Sequence, residues 1–343
     1  MSTESRDRIL RRKGRQIATL GLLLALGVPG LSCRLDASPT PLASRTFDLL
    51  YEVTPPEIPA TTERAYLWIP YPAETAEQSL GEVRVVSEWP YEMVRDPEYG
   101  NRALRFDLAA GSSAAPIAIT FRVTRRENVR RPGESPPPSR PKAEPDLSLW
   151  LQPSRRVPLD DQIRAWAEET VAGHTTPLGK ARAIYDYAVT NLEYDKGGTG
   201  WGNGDIYWAC DKKRGNCTDF HSVFIGYARS VGVPARFEMG FPIPLDRGEG
   251  EIAGYHCWAQ FHLSGFGWVP LDASEANKNP EKREYFFGAH DENRVLFTVG
   301  RDISFPEMQG QPLNYFVYPY AEVDGKPLSV QDRRFRYRDI EPS

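Results

Sequence analysis

The chain has 343 residues, enough for two domains and a sizeable core. A hydrophobic fraction of 40% with 11% aromatic residues excludes global disorder. The net charge of -4, with no lysine- and arginine-rich patch beyond the N-terminal segment, gives no support to a nucleic-acid partner.

The first 32 residues differ in kind from the rest. Arg6, Arg8, Arg11, Arg12, Lys13 and Arg15 form a basic start, and Ile17 to Val28 is an apolar run of the length found in secretory signals. It is shorter than the roughly 20 residues a spanning helix needs. Residues 1–32 are therefore expected to be a signal peptide, with the protein exported to the periplasm or cell envelope. Two readings of Cys33 stay open. It could be an acylated lipobox cysteine and so a lipid anchor, although Gly30 stands where leucine is usual, or Gly30 and Ser32 could serve ordinary signal-peptidase cleavage. Arg11-Arg12 also suggests a twin-arginine signal but lacks the hydrophobic residues that usually follow. Residues 33–44 read as a tether.

Residues 45–127 carry short β-like runs, FDLLYEV, AYLWIPYP, GEVRVVSEW, ALRFDL and PIAITFRVTR, separated by turn residues such as Pro55-Pro56 and Gly111-Ser112. Ile119, Phe121 and Val123 alternate with Thr120 and Arg122, the mark of a half-buried strand. A β-sandwich is expected, with Trp68 and Trp89 in its core and no chemistry of its own. Residues 128–154, dense in proline and charge, read as a semi-rigid linker and place the domain boundary.

A second domain is expected over 155–325. Asp160 and Asp161 cap a helix bearing Ile163, Trp166, Ala167, Thr170 and Val171 on one face, and a second helix follows Pro177 with Ala181, Ile184, Tyr185, Ala188, Val189 and Leu192 as its stripe. GGTGWGNGDIYWACDKK has no core periodicity and reads as a loop bordering a cleft, where Trp201, Tyr207 or Trp208 could line a pocket. Next comes GNCTDFHSVFIGYARSVGVPAR, residues 215–236. Phe220, Val223, Phe224, Tyr227, Ala228 and Val231 recur at helical spacing, and Gly232 and Pro234 stop the helix. Cys217 sits at its first turn, where unpaired N–H groups and the positive dipole end favour a thiolate. It is the candidate nucleophile. GYHCWAQFHLSGFGWVPLD, residues 254–272, reads as two strands joined at Ser264, Gly265 and Gly267, and offers His256 as base and Asp272 as the carboxylate that orients it.

GNC-TDF at a helix start, PAR after it, H-x-W on one strand and GWVPLD on the next resemble the transglutaminase-like superfamily, in an exported bacterial form. The resemblance spans Gln162 to Lys278. It implies an α+β, papain-like domain with helices packed on an antiparallel sheet, and a Cys217-His256-Asp272 triad. Transglutaminases proper use a tryptophan donor at the oxyanion, but none of Trp201, Tyr207 and Trp208 stands at a spacing that transfers the role; the Cys217 N–H is the oxyanion donor expected here.

Hairpin register argues against the triad contact. A symmetric hairpin sets Asp272 opposite Ala259 or Gln260, roughly 10 Å along the strand from His256, so that a bulge or strong twist is needed. His221 and Asp219 read as site-wall or helix-start residues. No cofactor is implied, and the histidines lack metal-site spacing. Of four cysteines, Cys33 belongs to the signal or a lipid. Cys210 and Cys257 could pair and leave Cys217 free, or stay unpaired. After Asp272, VLFTV and YFVYPYAEV read as closing strands of the catalytic sheet, Gly300-Arg301-Asp302 as a loop that could reach the cleft edge or, as the favoured reading, lie in solvent, and residues 326–343 as a charged tail. Together these point to thiol-dependent acyl transfer on peptide or carboxamide bonds, either as a cysteine protease or amidase or as a protein-glutamine crosslinking enzyme, with a protein or peptide of the envelope or cell wall as substrate. The alternative is a non-catalytic binding or scaffold protein that keeps the fold.

Overall fold

A computed structural model describes residues 42–112, 115–133 and 145–341. The signal segment with Cys33, most of the tether and the centre of the proline-rich stretch lie outside the described residues. The elements are, in chain order, β1 (Ser44–Val53), β2 (Ala65–Tyr71), β3 (Gln78–Val86), β4 (Tyr91–Arg95), β5 (Arg102–Asp107), β6 (Ile117–Arg126), β7 (Asn128–Val129), α1 (Asp161–Thr170), α2 (Pro177–Asn191), β8 (Glu193–Tyr194), α3 (Ile206–Lys212), β9 (Arg214–Gly215), α4 (Cys217–Ser230), β10 (Ala235–Pro242), β11 (Glu249–Glu251), β12 (His256–Leu263), β13 (Gly267–Leu271), α5 (Ala273–Lys278), β14 (Ala289–His290), β15 (Arg294–Val299), β16 (Tyr320–Val323), β17 (Lys326–Leu328) and β18 (Arg333–Asp339).

In β1 every second residue turns inward, Phe47, Leu49, Tyr51 and Val53 being at most 1% exposed. β6 repeats the pattern with Ile117, Ile119, Phe121 and Val123. These strands lie side by side in a five-stranded sheet ordered β11-β18-β1-β6-β3, and a second five-stranded sheet runs β17-β16-β2-β5-β4. Leu67, Ile69, Leu104 and Phe106 of the second share one core with the inward residues of the first. Trp68 points the other way, into a smaller core with Ile303, Phe305 and Phe316. The fold is α+β, with this paired-sheet region and a helical region built on the antiparallel sheet β13-β12-β10-β15.

The C-terminal strands depart from the expected assignment. VLFTV does close the four-stranded sheet, as β15 against β10. Tyr320–Val323, however, pairs with β2, and the segment read as a tail supplies β17 and β18, the latter paired along its length with β1. The reason is visible in RRFRYRD. Phe335 and Tyr337 are buried while Arg334, Arg336 and Arg338 face water, a period-two strand hidden under an arginine-rich composition. β11 adds a further strand to the same sheet edge from within the second half of the chain. The described residues of the linker also have structure at both ends: β7 pairs with β14, and Trp150 packs against Tyr99 and Trp268.

α4 lies at the centre of the second region. Every residue from Cys217 to Ala228 is buried, so the single apolar stripe expected of it understates its burial. α1, α2, α3 and α5 surround it, and the face of β12 that carries Cys257, Ala259 and Phe261 packs against it. Gly226 makes this possible, because a Cβ there would collide with Ile206 and Val157. α3 falls where the sequence pattern predicts a loop. It is held by its Asp205 cap, which accepts from Tyr207 N and Trp208 N, and is too short to show a helical period.

Candidate active site

The first turn of α4 is built by a capping box. The Asn216 side chain accepts from Thr218 N at 2.8 Å, and the Asp219 carboxylate returns to Asn216 N at 2.9 Å. Cys217 occupies the first helical position, where its N–H has no intrahelical partner. Asp219 does more than cap. Its oxygens also accept from Gly202 N at 2.7 Å and Gly204 N at 3.0 Å, which ties the glycine-rich loop to the helix start. At Gly204, with φ +59°, a Cβ would run into Ser222 and Thr218, so the loop can lie this close only as glycine.

His256 begins β12 and Asp272 follows β13 as the cap of α5, accepting from Glu275 N at 3.0 Å. Leu271 pairs with Ala259, one residue from the expected register, and this sets Asp272 beside Trp258 without a bulge in the hairpin. His256 and Trp258 share a face, so base and carboxylate are diagonal neighbours, a separation that long side chains span. The contact follows: His256 Nε2 donates to Asp272 Oδ2 at 2.7 Å. With Nε2 so engaged, Nδ1 is the nitrogen left for the hydrogen bond His256 shares with Cys217. Thus Cys217, His256 and Asp272 come together from a helix start, a strand start and a strand end.

Charges in the cluster reinforce one another. Burial opposes a Cys217 thiolate, yet hydrogen bonds from Cys257 and His256 and the positive charge of His256 outweigh it and hold the thiol well below its ordinary range. Burial likewise opposes a charged His256, but the Asp272 carboxylate and the Cys217 sulfur push it up to about 10. Asp272 is held well below the usual carboxylate range, burial being outweighed by His256, Arg294 and His221. Both shifts run in the direction that favours a thiolate at Cys217 beside an imidazolium at His256.

Residues 164–273 match the transglutaminase-like superfamily. The chain carries a transglutaminase-like domain. An uncharacterized protein of Haemophilus influenzae is 27% identical over 330 residues, covering 85% of this chain and 89% of that one. The uncharacterized protein YebA of Bacillus subtilis is 25% identical over 136 residues, 36% of this chain and 18% of that one. A solved structure from Cytophaga hutchinsonii, described as a candidate cysteine protease, is alike in fold with a TM-score of 0.62 at 17% identity, over 88% of this chain and 92% of that one.

Several residues that shape the site were not assigned a role in it from the sequence. Arg294 donates to Asp272 Oδ2 at 3.2 Å, stacks 4.8 Å over Trp258 and pairs with Asp291 at 3.1 Å. Arg301, read as part of a solvated loop, is 5% exposed and donates to Gly204 O, Asn203 O and Ser222 Oγ, clamping the glycine-rich loop from its far side. Tyr255 OH meets Asn216 Nδ2 at 2.8 Å and Thr218 Oγ1 at 3.2 Å. A lone arginine and a lone tyrosine carry no motif. The available signal is position: Tyr255 immediately precedes the base, and Arg301 stands on a loop that could reach the cleft edge.

The remaining candidates take supporting places. His221 is fully buried, its Nδ1 donating to Cys217 O at 2.7 Å and its Nε2 accepting from Ala273 N at 3.2 Å, so it latches α4 to the start of α5. Burial lowers its pKa. Trp201 donates its N–H to Gly198 O, Trp208 packs beside Gly200, and Tyr207 is bonded to Asp160 on the outer side of α3. Cys210 and Cys257 are not bonded to each other. Cys210 sits 3.4 Å from Tyr227 OH, whereas Cys257 lies beneath the first turn of α4. Among the described residues no cluster could hold a metal ion, and no helix is long and apolar enough to cross a membrane.

Proposed function

We propose that the protein performs thiol-dependent acyl transfer on peptide or carboxamide bonds. The observation that carries this reading is the 2.7 Å bond from His256 Nε2 to Asp272 in a buried cluster where the same imidazole is hydrogen-bonded to Cys217. The Cys217 thiolate attacks the carbonyl carbon, and the developing oxyanion lies at the N-terminus of α4, where the Cys217 N–H is free to donate. His256 gives its proton to the leaving amine as the tetrahedral carbon collapses to a thioester. Neutral His256 then takes a proton from the incoming water or amine, which attacks the thioester and returns the thiolate. Asp272, held by Ser274 Oγ, Glu275 N and Arg294, keeps the imidazole turned toward the sulfur through both halves.

Water as acceptor makes the protein a peptidase or amidase, and an amine makes it a crosslinking enzyme. The basic and apolar start of the sequence supports an envelope address, and with it envelope or cell-wall peptides as substrates. The test is to offer a mixture of such peptides and trap the acyl-enzyme by rapid acid quench and mass spectrometry. An acyl group on Cys217 that is absent from Cys217→Ala and His256→Ala identifies nucleophile and donor together. A folded wild-type protein that accumulates no adduct, and releases no amine from any peptide offered, is a binding module with this fold.

A further inference from the structure

The triad uses one of the two buried thiols at the start of α4. Cys257 is fully buried on β12, one residue past the base, yet it faces the helix rather than His256. Its sulfur lies 3.7 Å from Thr218 Oγ1 and 3.7 Å from His221 Nδ1, the nitrogen that holds the Cys217 carbonyl, and it shares a hydrogen bond with the Cys217 sulfur itself. A small apolar residue would fill this position equally well as packing. Here a second thiol stands against the activated one.

We propose that Cys217 and Cys257 form a site of reversible oxidative modification, in which a hydroperoxide oxidises Cys217 and Cys257 resolves the product as an intramolecular disulfide. The proposal rests on the reading of Cys217 as an activated thiolate. In the first step the Cys217 thiolate attacks one peroxide oxygen, the O–O bond breaks, and the departing hydroxide takes the His256 proton and leaves as water. Cys217 becomes a sulfenic acid and the peroxide is reduced. In the second step the Cys257 sulfur attacks the Cys217 sulfur, the S–S bond forms, the S–O bond breaks, and the Cys257 proton leaves with the hydroxyl as a second water. Two thiols and one peroxide thus give one disulfide and two waters.

The order of events is built into the pair. Burial keeps the Cys257 thiol protonated, and the neighbouring Cys217 thiolate pushes it up further. Conversion of that thiolate to a neutral sulfenic acid removes the second cause and makes Cys257 a better nucleophile at the moment a resolving thiol is needed. Cys217 is only 2% exposed, which favours a reagent as small as hydrogen peroxide over bulky oxidants. Cys210, near Tyr227 at the other end of the helix, is too distant to compete.

The test is peptide mass mapping of the full chain after graded hydrogen peroxide, with free thiols alkylated. The expected result in the wild type is a Cys217–Cys257 disulfide, recovered as two thiols with dithiothreitol, with Cys210 still alkylatable. In Cys257→Ser the same doses should carry Cys217 on to sulfinic and sulfonic acids that dithiothreitol does not reverse. Wild-type protein in which Cys217 gains oxygens while Cys257 remains free overturns the proposal, and this arm needs no variant to fold. Because the readout is covalent mass rather than turnover, a disulfide without any acyl-enzyme leaves this inference standing and removes the catalytic one. An acyl-enzyme without a disulfide does the reverse.

Discussion

β6 and β12 are both strands packed on a shared core, and they differ in what covers their second face. In β6 the residues between Ile117, Ile119, Phe121 and Val123 are partly open to water, and Arg122 there pairs with Asp48 of the neighbouring strand. In β12 all eight residues are buried. Its apolar side, Cys257, Ala259 and Phe261, meets α4, while its polar side carries His256, Trp258, Gln260 and His262 without exposure to solvent. Those polar groups must then find partners inside the protein. Trp258 Nε1 and Gln260 Nε2 both donate to Glu238, at 2.6 and 2.7 Å, and His256 donates to Asp272. Alternation in a solvated strand therefore sorts side chains between core and water, whereas alternation in a strand covered on both sides concentrates charge where it is costly and reactive.

The comparison can be broken at both strands. The largest effect on turnover is expected from His256→Ala, which should lower kcat per folded molecule by at least ~10⁴-fold, as measured on whichever peptide acylates Cys217. In β6, Phe121→Ala should do the opposite, costing about 3–5 kcal/mol in urea unfolding while leaving turnover per folded molecule unchanged. Equal loss of activity in the two would mean that the strands are not separate in function. Asp219→Ala should fall between them. It frees Gly202 and Gly204 as well as the helix cap, and is expected to cost about 1–3 kcal/mol and to raise KM more than it lowers kcat, because the loop it anchors lies against the first turn of α4.

Smaller effects sharpen the contrast through pH. His256 has its pKa raised in the folded state, so its contribution to stability is complete below its ordinary pKa of about 6.5 and is lost as pH climbs through about 10. Asp272 is depressed, so its contribution is present above the ordinary carboxylate pKa and is lost as pH falls below it. Urea midpoints should therefore fall at both extremes, and the alkaline fall should vanish in His256→Ala. The smallest effect is expected from Arg122→Ala on the wet face of β6, where the exposed pair with Asp48 should leave the midpoint unchanged.

Much of this was legible in the sequence, and the limits have physical causes. Cys217, His256 and Asp272 stood out because a helix start and a hairpin leave local patterns. The register of the hairpin was one residue off because turn length was inferred from symmetry, and capping of α5 by Asp272 was not anticipated. Arg294 carries no sequence signal as a site residue, and Arg301 only that its loop could reach the cleft edge, since each acts through a fold-level approach of two segments far apart in the chain. β18 was read as a tail because its arginines dominated the composition, although Phe335 and Tyr337 kept the strand period. Cysteine count leaves open a Cys210–Cys257 pair or none, and the structure sets Cys257 unbonded beside the start of α4 and Cys217, a proximity decided by which face of β12 meets α4.

The central claim is that an imidazole on β12 ionises a thiol at the start of α4, and the rate of Cys217 alkylation by iodoacetamide as a function of pH, read by peptide mass mapping, tests it most directly. The account predicts a rate in the wild type that is already high at weakly acidic pH and nearly level until His256 deprotonates at about 10, and a His256→Ala rate that rises only as an ordinary thiol does, around pH ~8.5. A wild-type profile that follows the ordinary thiol curve, unchanged by His256→Ala, would contradict it.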